Sequence, residues 1–394
     1  MREAGLMGRN CYFWSAHNIA RMKKPIILFI YFLLFSFTSF AQVYTNIEVG
    51  KKNEMLADSI KKTPYKYLLP IWGERATALG YNLPYSAGLS VNYLQQESKV
   101  IIDNLQVGFN NGPLRNIDEI VRFDDATARA GALTLRPDIW ILPFINVYGI
   151  FGQGKSSTEI SAGIFLPDTS GNWNEVLPLE TKANFDVTVM GFGITPTMGV
   201  GNGWIALDMN FAWSDISALD KPVKTFVFGP RFGKTTRFKK PDSNIAFWVG
   251  GFRVKFSSET KGSLPLDELF PVDDIQLKVD SAIVNVGVRQ DNVEEWWNGL
   301  TEVEQKNPVN KSKYETANRV LTTAGETLNS IDESLNDGES ASVQYSLDKK
   351  LKDAWNFIVG AQYQLNKSWM LRGEVGFLGS RKQFLASLQY RFPI

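Results

Sequence analysis

The chain has 394 residues and a balanced charge, with 42 Lys and Arg residues against 41 Asp and Glu residues. This balance excludes a polycationic nucleic-acid binder, so no nucleic-acid partner is expected. The only cysteine is Cys11 and the only histidine is His17. Both lie near the N-terminus, where processing would remove these two residue types from the chain altogether.

The N-terminal region predicts export from the cytoplasm. From Met22 the sequence has a Lys-Lys start, a short apolar run and a small-x-small cleavage site that ends at Ala41. This is the pattern of a secretory signal peptide, so residues 22–41 are predicted to be cleaved. Residues 1–21 lack the pattern and are interpreted as a mis-called start, with a non-standard leader extension as the alternative.

The mature chain expected from this cleavage has neither cysteine nor histidine. Its net charge is about −3, from 37 basic residues (42 less 5) and 40 acidic residues (41 less 1). A Ser-His-Asp triad, a Cys nucleophile and a zinc site built from His or Cys are therefore unavailable. We expect a protein that is not an enzyme and that has no metal and no cofactor. A carboxylate-based activity is the enzymatic alternative that the composition leaves open.

Residues 42–80 have helical patterning and are expected to form a periplasmic lead-in or a plug segment. From residue 81 the pattern changes to a period of two, which is typical of strands with one apolar and one polar face. Twelve candidate strands follow, at 83–93, 100–110, 129–138, 144–152, 158–165, 183–194, 203–213, 223–233, 245–256, 355–365, 369–377 and 384–392. Residues 275–288 and 341–349 could add a further pair.

Two folds accommodate so many amphipathic strands of about ten residues: a soluble sandwich or a transmembrane barrel. Aromatic residues at the ends of the apolar faces, polar faces rich in Gly, Asn, Gln and Ser, and the predicted export all favour the barrel. The sequence therefore predicts an all-β fold, an antiparallel transmembrane β-barrel of about 12 strands (range 10–14) over residues 81–394.

An α-helical insertion interrupts the predicted barrel at residues 257–352. Apolar residues recur there at alternating steps of three and four, which places them on one stripe of a helix: Tyr314, Ala317, Leu321, Ala324, Leu328, Ile331 and Leu335. A shorter helix near 293–303 offers Trp296, Trp297 and Leu300 as packing partners, so a helical hairpin is expected. With twelve strands the insertion would lie outside the cell, and with fourteen it would lie in the periplasm.

The signal peptide, the repeated alternating strands and the aromatic-rich last strand resemble the outer-membrane β-barrel proteins of Gram-negative bacteria. The resemblance covers roughly residues 83–256 and 353–394, and the stretch 353–392 is also similar to uncharacterised members without an assigned activity. It implies a location in the cell outer membrane, with membrane lipid and the barrel-assembly machinery as partners. This chain departs from the group at its end, where Pro393 and Ile394 follow Phe392.

The alternation also predicts two sets of site residues. Charges on the polar faces are expected to line the lumen, as a selectivity or structural network: Asp186, Asp208, Arg231, Arg253, Lys255, Arg372, Glu374 and Arg391. Aromatic residues at the ends of the apolar faces are expected at the membrane interface: Trp204, Trp213, Trp355, Tyr363, Trp369, Tyr390 and Phe392.

Function is predicted from the charged lumen. The first expectation is a passive channel or transporter for small solutes, in the manner of a porin. The alternative is a structural or surface-interaction barrel with a packed lumen, in which the helical insertion is the contact element. The oligomeric state is left open.

Overall fold

The structure, a computed structural model, describes residues 51–168, 172–240, 242–257, 259–269, 272–336 and 341–394. The described residues belong to one unit, Val43–Ile394. The predicted mis-called start (1–21), the predicted signal peptide (22–41) and residues 42–50 of the predicted lead-in lie outside them.

The described chain is dominated by antiparallel strands, ten of which form a closed barrel. In chain order the strands are β1 (Ala87–Phe109), β2 (Arg115–Asn116), β3 (Val121–Leu142), β4 (Ile145–Pro167), β5 (Trp173–Val200), β6 (Gly203–Ile216), β7 (Val223–Arg237), β8 (Asn244–Phe256), β9 (Glu259–Pro265), β10 (Ser342–Leu351), β11 (Trp355–Gln364), β12 (Trp369–Phe377) and β13 (Arg381–Phe392).

Strand β1 closes the barrel because it pairs on both sides. Ala87 lies opposite Ile139 of β3 and also opposite Phe392 of β13. Around the barrel the strands run β1, β3, β4, β5, β6, β7, β8, β11, β12 and β13. The last strand, β13, therefore pairs with β12 on one edge and with β1 on the other. The alternating residues at the C-terminus belong to a fully paired barrel strand.

The predicted fold class is confirmed, and the barrel itself has ten strands, at the lower end of the predicted range. Two pairs of predicted strands are single long strands: those at 83–93 and 100–110 fall mainly within β1, and those at 144–152 and 158–165 fall within β4 apart from residue 144. The polar stretches between them, such as 95–99, resemble turns in the sequence. In the structure they continue the strand where both faces of the sheet are polar.

Strands β9 and β10 lie outside the ten-stranded ring. β10 pairs with the second half of β1, from Val100 to Phe109, where Ile102 lies opposite Lys349. β9 pairs with β10. The prediction of a strand at 341–349 is therefore confirmed. The prediction of a strand at 275–288 is wrong, because these residues are helical. Their many β-branched residues favour a strand, but the buried ones lie at helical spacing: Ile275, Val279, Ala282 and Val286.

The described helices are α1 (Lys51–Lys62), α2 (Gly73–Ala78), α3 (Leu266–Leu269), α4 (Val272–Asn298), α5 (Glu302–Gln305) and α6 (Pro308–Asn336). The long helices α4 and α6 pack against each other as a hairpin, whose first arm is Val272–Asn298 and not the short helix predicted near 293–303. Leu321, Ala324 and Leu328 of α6 are buried in the same apolar cluster as α4. Trp297 stacks on Tyr314 with 4.3 Å between ring centroids. Within the described part of the chain, the helices are too short or too polar to cross a membrane.

The two ends of the barrel differ. The turn end carries the short turns after Leu142, Val200, Arg237 and Gln364, together with both chain ends of the barrel. The hairpin end, on the opposite side, carries the hairpin of α4 and α6 and the connections after Phe109, Pro167, Ile216 and Phe377, the last of which has three residues. Strands β1, β3, β4 and β5 have 22 to 28 residues and extend far beyond the shorter strands at this end.

The apolar face of the long strands changes sides along their length. In β5, Leu177 and Ala183 are buried inside, whereas Met190 is 59% exposed and Phe192 is exposed on the outside. Alternate residues of a strand point to opposite faces, so the odd positions face inward throughout. The outer face is apolar near the turn end and polar near the hairpin end. Near the turn end such a strand therefore faces lipid. Near the hairpin end its outer face is polar and suits water, and its inner face lines an apolar interior.

Candidate functional site

A charged network crosses the lumen at the level of the lipid-facing belt. Arg231 of β7 pairs with Asp208 of β6, and its Nε lies 3.1 Å from Glu374 Oε2 on β12. The same carboxylate accepts hydrogen bonds from Arg372 Nη2 at 3.1 Å and from Trp248 Nε1 at 3.0 Å. A carboxylate with this many donors offsets the cost of burying its charge. The network links strands from opposite parts of the wall.

Asp208 extends the network toward β4 and β5. It accepts a hydrogen bond from Tyr148 Oη at 3.3 Å and another from Thr195 Oγ1. A second buried pair lies nearer the turn end, where Arg391 Nη2 donates to Asp138 Oδ2 at 2.6 Å. Asn146 also donates to Asp138, at 2.7 Å. Together these pairs hold most of the wall strands to one another through the lumen.

Five of the eight predicted lumen residues line the lumen: Asp208, Arg231, Arg372, Glu374 and Arg391. The prediction is wrong for Asp186, Arg253 and Lys255, which are exposed on the outer face of β5 and β8. All three lie toward the hairpin end, where the polar face of the strand is the outer one. Sequence alternation separates the two faces but does not tell which of them is inside.

Six of the seven predicted interface aromatics are exposed on the outer face, in two groups. Trp213 and Trp355 lie toward the hairpin end. Tyr363, Trp369, Tyr390 and Phe392 lie at the turn end. Rows of aromatics at both edges of an apolar belt are typical of membrane barrels.

The prediction for Trp204 is wrong, because it is 2% exposed and faces the lumen. Its indole Nε1 donates to Thr235 Oγ1 at 3.1 Å. The ring lies over Gly233 of the neighbouring strand, where any Cβ atom would collide with it. Trp248 lies over Gly360 in the same way. The signal for these inward rings is a glycine opposite a tryptophan, and it appears only once strand pairing is known.

The predicted lead-in crosses the turn end of the barrel. Ile71 N donates to Ile141 O, and Leu68 N donates to Ile394 O, beside the edge of the barrel. Farther along, Asn82 Nδ2 lies 3.3 Å from Asp242 Oδ1 in the turn between β7 and β8. Those strands lie on the opposite side of the barrel from β1, which begins at Ala87. The segment that leads into β1 therefore spans the mouth at this end.

A large apolar cavity of about 540 Å³ lies inside the barrel near the hairpin end. Its walls are aliphatic and aromatic side chains of the long strands and of β10, among them Val107, Phe123, Leu177, Phe185 and Val343. Its roof is the base of the helical hairpin, with Ile275, Val279, Ile331 and Leu335. The volume is in the range of small-molecule binding sites. Sequence reasoning missed this cavity because it assumed polar residues inside the barrel at every level.

The apolar cavity adjoins the polar lumen. Gln96, Val227 and Val254 line both the apolar cavity and a cavity of about 350 Å³ that contains the charged network. Lys349 of β10 also lines the apolar cavity, and its Nζ donates to Thr158 Oγ1 at 3.3 Å. Burial lowers the pKa of Lys349 from its usual 10.5 to about 8. Sequence reasoning missed this lysine because it lies in the region interpreted as a helical insertion.

The closed ring of strands, the outward apolar belt with its aromatic rows and the polar lumen define an outer-membrane β-barrel protein of the Gram-negative type. The outer membrane is accordingly its location, with lipid against the belt.

Comparisons with known proteins give solved structures only. No family model matches the chain, and no curated protein matches it. The chain is similar to the transport unit of the autotransporter AIDA-I from Escherichia coli, at 9% identity, with 87% of this chain and 97% of that chain covered and a TM-score of 0.29.

Two further solved structures are similar to the chain. One is an outer membrane channel from Pseudomonas putida F1, at 10% identity, covering 78% of this chain and 96% of that chain with a TM-score of 0.26. The other is a Pseudomonas aeruginosa FadL homologue, at 8% identity, covering 90% of this chain and all of that chain with a TM-score of 0.25.

Proposed function

We propose that the protein is an outer-membrane transporter for small apolar solutes. The observation that supports this proposal is the apolar cavity under the hairpin, which adjoins the polar lumen at Gln96, Val227 and Val254. A cavity of this size and lining binds apolar molecules by removing their surface from water. Solutes would enter from the hairpin end and leave at the turn end.

The orientation follows the usual asymmetry of such barrels. Bacterial outer-membrane barrels have short periplasmic turns and longer extracellular loops. We therefore assign the turn end to the periplasm and the hairpin of α4 and α6 to the cell exterior. The barrel-assembly machinery remains an expected partner, with β13 as the strand it would read.

A permanently open, porin-like channel fits the geometry less well than a transporter that changes conformation. The ion pairs of Arg231 with Asp208 and Glu374 cross the lumen, and the segment with Asn82 crosses the turn end. Breaking a buried ion pair costs about 3–5 kcal/mol, so an arrangement with these groups apart would be a minor state at equilibrium. Transport then requires a rearrangement of the network, coupled to solute binding.

The test is binding of an apolar fluorescent probe, N-phenyl-1-naphthylamine, to the refolded barrel in nanodiscs. Ala183→Phe places a ring in the cavity, and Asn184→Phe adds the same ring to the outer face of the same strand as a matched control. We expect saturable binding that weakens at least tenfold in Ala183→Phe and stays unchanged in Asn184→Phe. Equal binding in a folded Ala183→Phe variant, or no saturable binding by the wild type, would refute the proposal.

A surface-interaction barrel is the second candidate, and one observation favours it. Helix α4 exposes an apolar row of Leu277, which is 74% exposed, Val284 and Val288. These residues lie at spacings of seven and four, on one face of the helix. If this function is the right one, replacing all three residues by serine abolishes binding of cells that carry the protein to its surface partner. Ala183→Phe leaves that binding intact. Both candidates describe a protein that is not an enzyme.

A further inference from the structure

We propose that the solute of the apolar cavity is a single-chain amphiphile with an anionic head, such as a medium- or long-chain carboxylate. Its tail would lie under the hairpin and its head against Nζ of Lys349. This inference rests on the proposed function, because it names the ligand class of the same cavity.

The position of Lys349 in the sheet directs its ammonium group inward. Val343, Tyr345, Leu347 and Leu351 alternate with outward residues along β10 and line the cavity on the same face as Lys349. The lysine lies opposite Ile102 of β1 and reaches Thr158 of β4 with its terminal nitrogen. Its side chain therefore crosses part of the cavity, away from the wall on which it begins.

The ammonium group has room for an anion. It has three donors, and Thr158 Oγ1 accepts one of them. Within the part of the chain that the structure describes, no carboxylate forms a salt bridge with Lys349. The neighbouring acids are used elsewhere: Asp103 pairs with Lys350 at 2.7 Å, and Asp348 accepts from Asn104 at 2.7 Å. A buried charge without a counter-ion is costly, and an anionic ligand head would supply the missing charge.

A second cation faces the interior at the same level of the sheet. Arg381 of β13 is 1% exposed, and its guanidinium lies over the ring of Phe252, 5.1 Å from the centroid. Among the described residues it has neither a hydrogen-bond acceptor nor a salt-bridge partner. Ser98 lies opposite Arg381, and Ala128 links Ser98 to Thr158 in the same transverse row. This row therefore brings two cations toward the interior: Lys349, which lines the cavity, and Arg381, on which the charge of Asp353 acts from beyond salt-bridge distance.

The arrangement fixes the orientation of the ligand. β10 runs from the hairpin end toward the membrane, so Val343 is near the roof and Lys349 near the floor. The polar side chains of Gln96, Ser98 and Ser156 line the floor as well. An amphiphile matches this gradient when its tail points to the hairpin and its head points to the lumen. Burial lowers the pKa of Lys349, and an anion beside it would keep the lysine protonated.

The experiment compares two probes with the same tail. Dodecanoate and 1-dodecanol compete with N-phenyl-1-naphthylamine for the refolded protein in phosphatidylcholine nanodiscs at pH 7, with empty nanodiscs subtracted for partitioning. We expect dodecanoate to bind at least tenfold more tightly than 1-dodecanol. Lys349→Met should abolish this preference, and Lys349→Arg should retain it. Lys350→Met, on the outer face of the same strand, is the matched control and should leave the preference unchanged.

The outcomes separate this inference from the proposed function. If both probes bind equally to the wild type, or if the preference survives in Lys349→Met, the anionic-head inference is overturned and the apolar transporter stands. If neither competes and the fluorescent probe itself does not bind, both proposals fail. If added phosphatidylglycerol, which has two chains, displaces dodecanoate at equal concentration, the site is a membrane-lipid site and the single-chain inference is overturned.

Discussion

Replacing Glu374 by alanine should destabilise the barrel strongly. The carboxylate is 3% exposed and accepts from Arg231, Arg372 and Trp248 at 3.0 to 3.1 Å. Its removal leaves the partly buried guanidinium groups of Arg231 and Arg372 without their shared counter-ion, although Arg231 retains Asp208. Breaking a buried pair in this way costs about 3–5 kcal/mol. The indole N–H of Trp248 also loses its acceptor, which adds about 1 kcal/mol to the cost. This addition offsets part of the stabilisation that Arg231 keeps from its remaining ion pair with Asp208.

The assay is reversible urea unfolding of the refolded protein in lipid vesicles, followed by tryptophan fluorescence. We expect Glu374→Ala to lower the free energy of unfolding by about 3–5 kcal/mol. Glu374→Gln retains the shape and one acceptor, so it should lose less. The control is Lys382→Ala, whose partner Glu97 lies 3.8 Å away on the exposed surface. Such a surface pair contributes about 0–1 kcal/mol.

The comparison between these variants decides whether the network is as buried as described. A loss below about 1 kcal/mol for Glu374→Ala, equal to that of Lys382→Ala, would place the network in open water. The lumen would then be wide and hydrated at this level, and the case against a permanently open channel would disappear.

Three further predictions concern the belt, the hairpin and Lys349. Phe247→Arg, on the lipid-facing side of β8, should lower the free energy of unfolding in vesicles by about 2–4 kcal/mol. Lys255→Ala, on the same face beyond the belt, should change it little. Equal losses in the two variants would contradict a lipid-facing belt at Phe247. Leu321→Ala should weaken the packing of α4 against α6 by about 2–5 kcal/mol, because the side chain is fully buried. The measurement is limited proteolysis between α4 and α6, which should become faster. Unchanged proteolysis would contradict the burial of Leu321. Thermal stability should rise between pH 8 and 10, because the pKa of Lys349 is lower in the folded than in the unfolded chain, and the unfolded chain binds more protons in this range. Lys349→Met should flatten this rise. An identical rise in that variant would assign the rise to other groups.

Sequence alternation predicted the barrel because its physical cause is local. Alternate side chains of a strand face different solvents, and the ring strands β6, β7, β11, β12 and β13 keep an apolar outer face across the lipid-facing belt. Phe226, Phe228 and Phe232 of β7 lie on one side, and Arg231 lies on the other. For these strands the predicted limits agree with the structure within a few residues.

The same reasoning failed where one strand lies in two environments. In β8 the inward face carries Trp248, Phe252 and Val254, and the outward face carries Phe247 at the belt and Arg253 beyond it. Both faces are partly apolar, so hydrophobicity alone does not identify the inner one. The decision depends on partners from distant strands, such as Glu374 for Trp248. One sequence without strand pairing does not contain that information.

The cavity was missed for a related reason. Its apolar lining comes from β1, β3, β4 and β5 together with β10 and the base of the hairpin, which lie far apart in the chain. Residues such as Leu177 and Phe185 have a normal strand pattern. Only the closed ring and the hairpin above it turn their face into the wall of a binding site.

The most direct test of the central claim is the single-channel current of refolded residues 42–394 in a planar bilayer. A transporter whose lumen is crossed by Arg231, Asp208 and Glu374 should give no stable conductance steps, although the protein is folded and binds the apolar probe. Stable steps in the wild type, with an ion selectivity that disappears when Arg231 and Arg372 are neutralised, would contradict this account and identify an open channel lined by these residues.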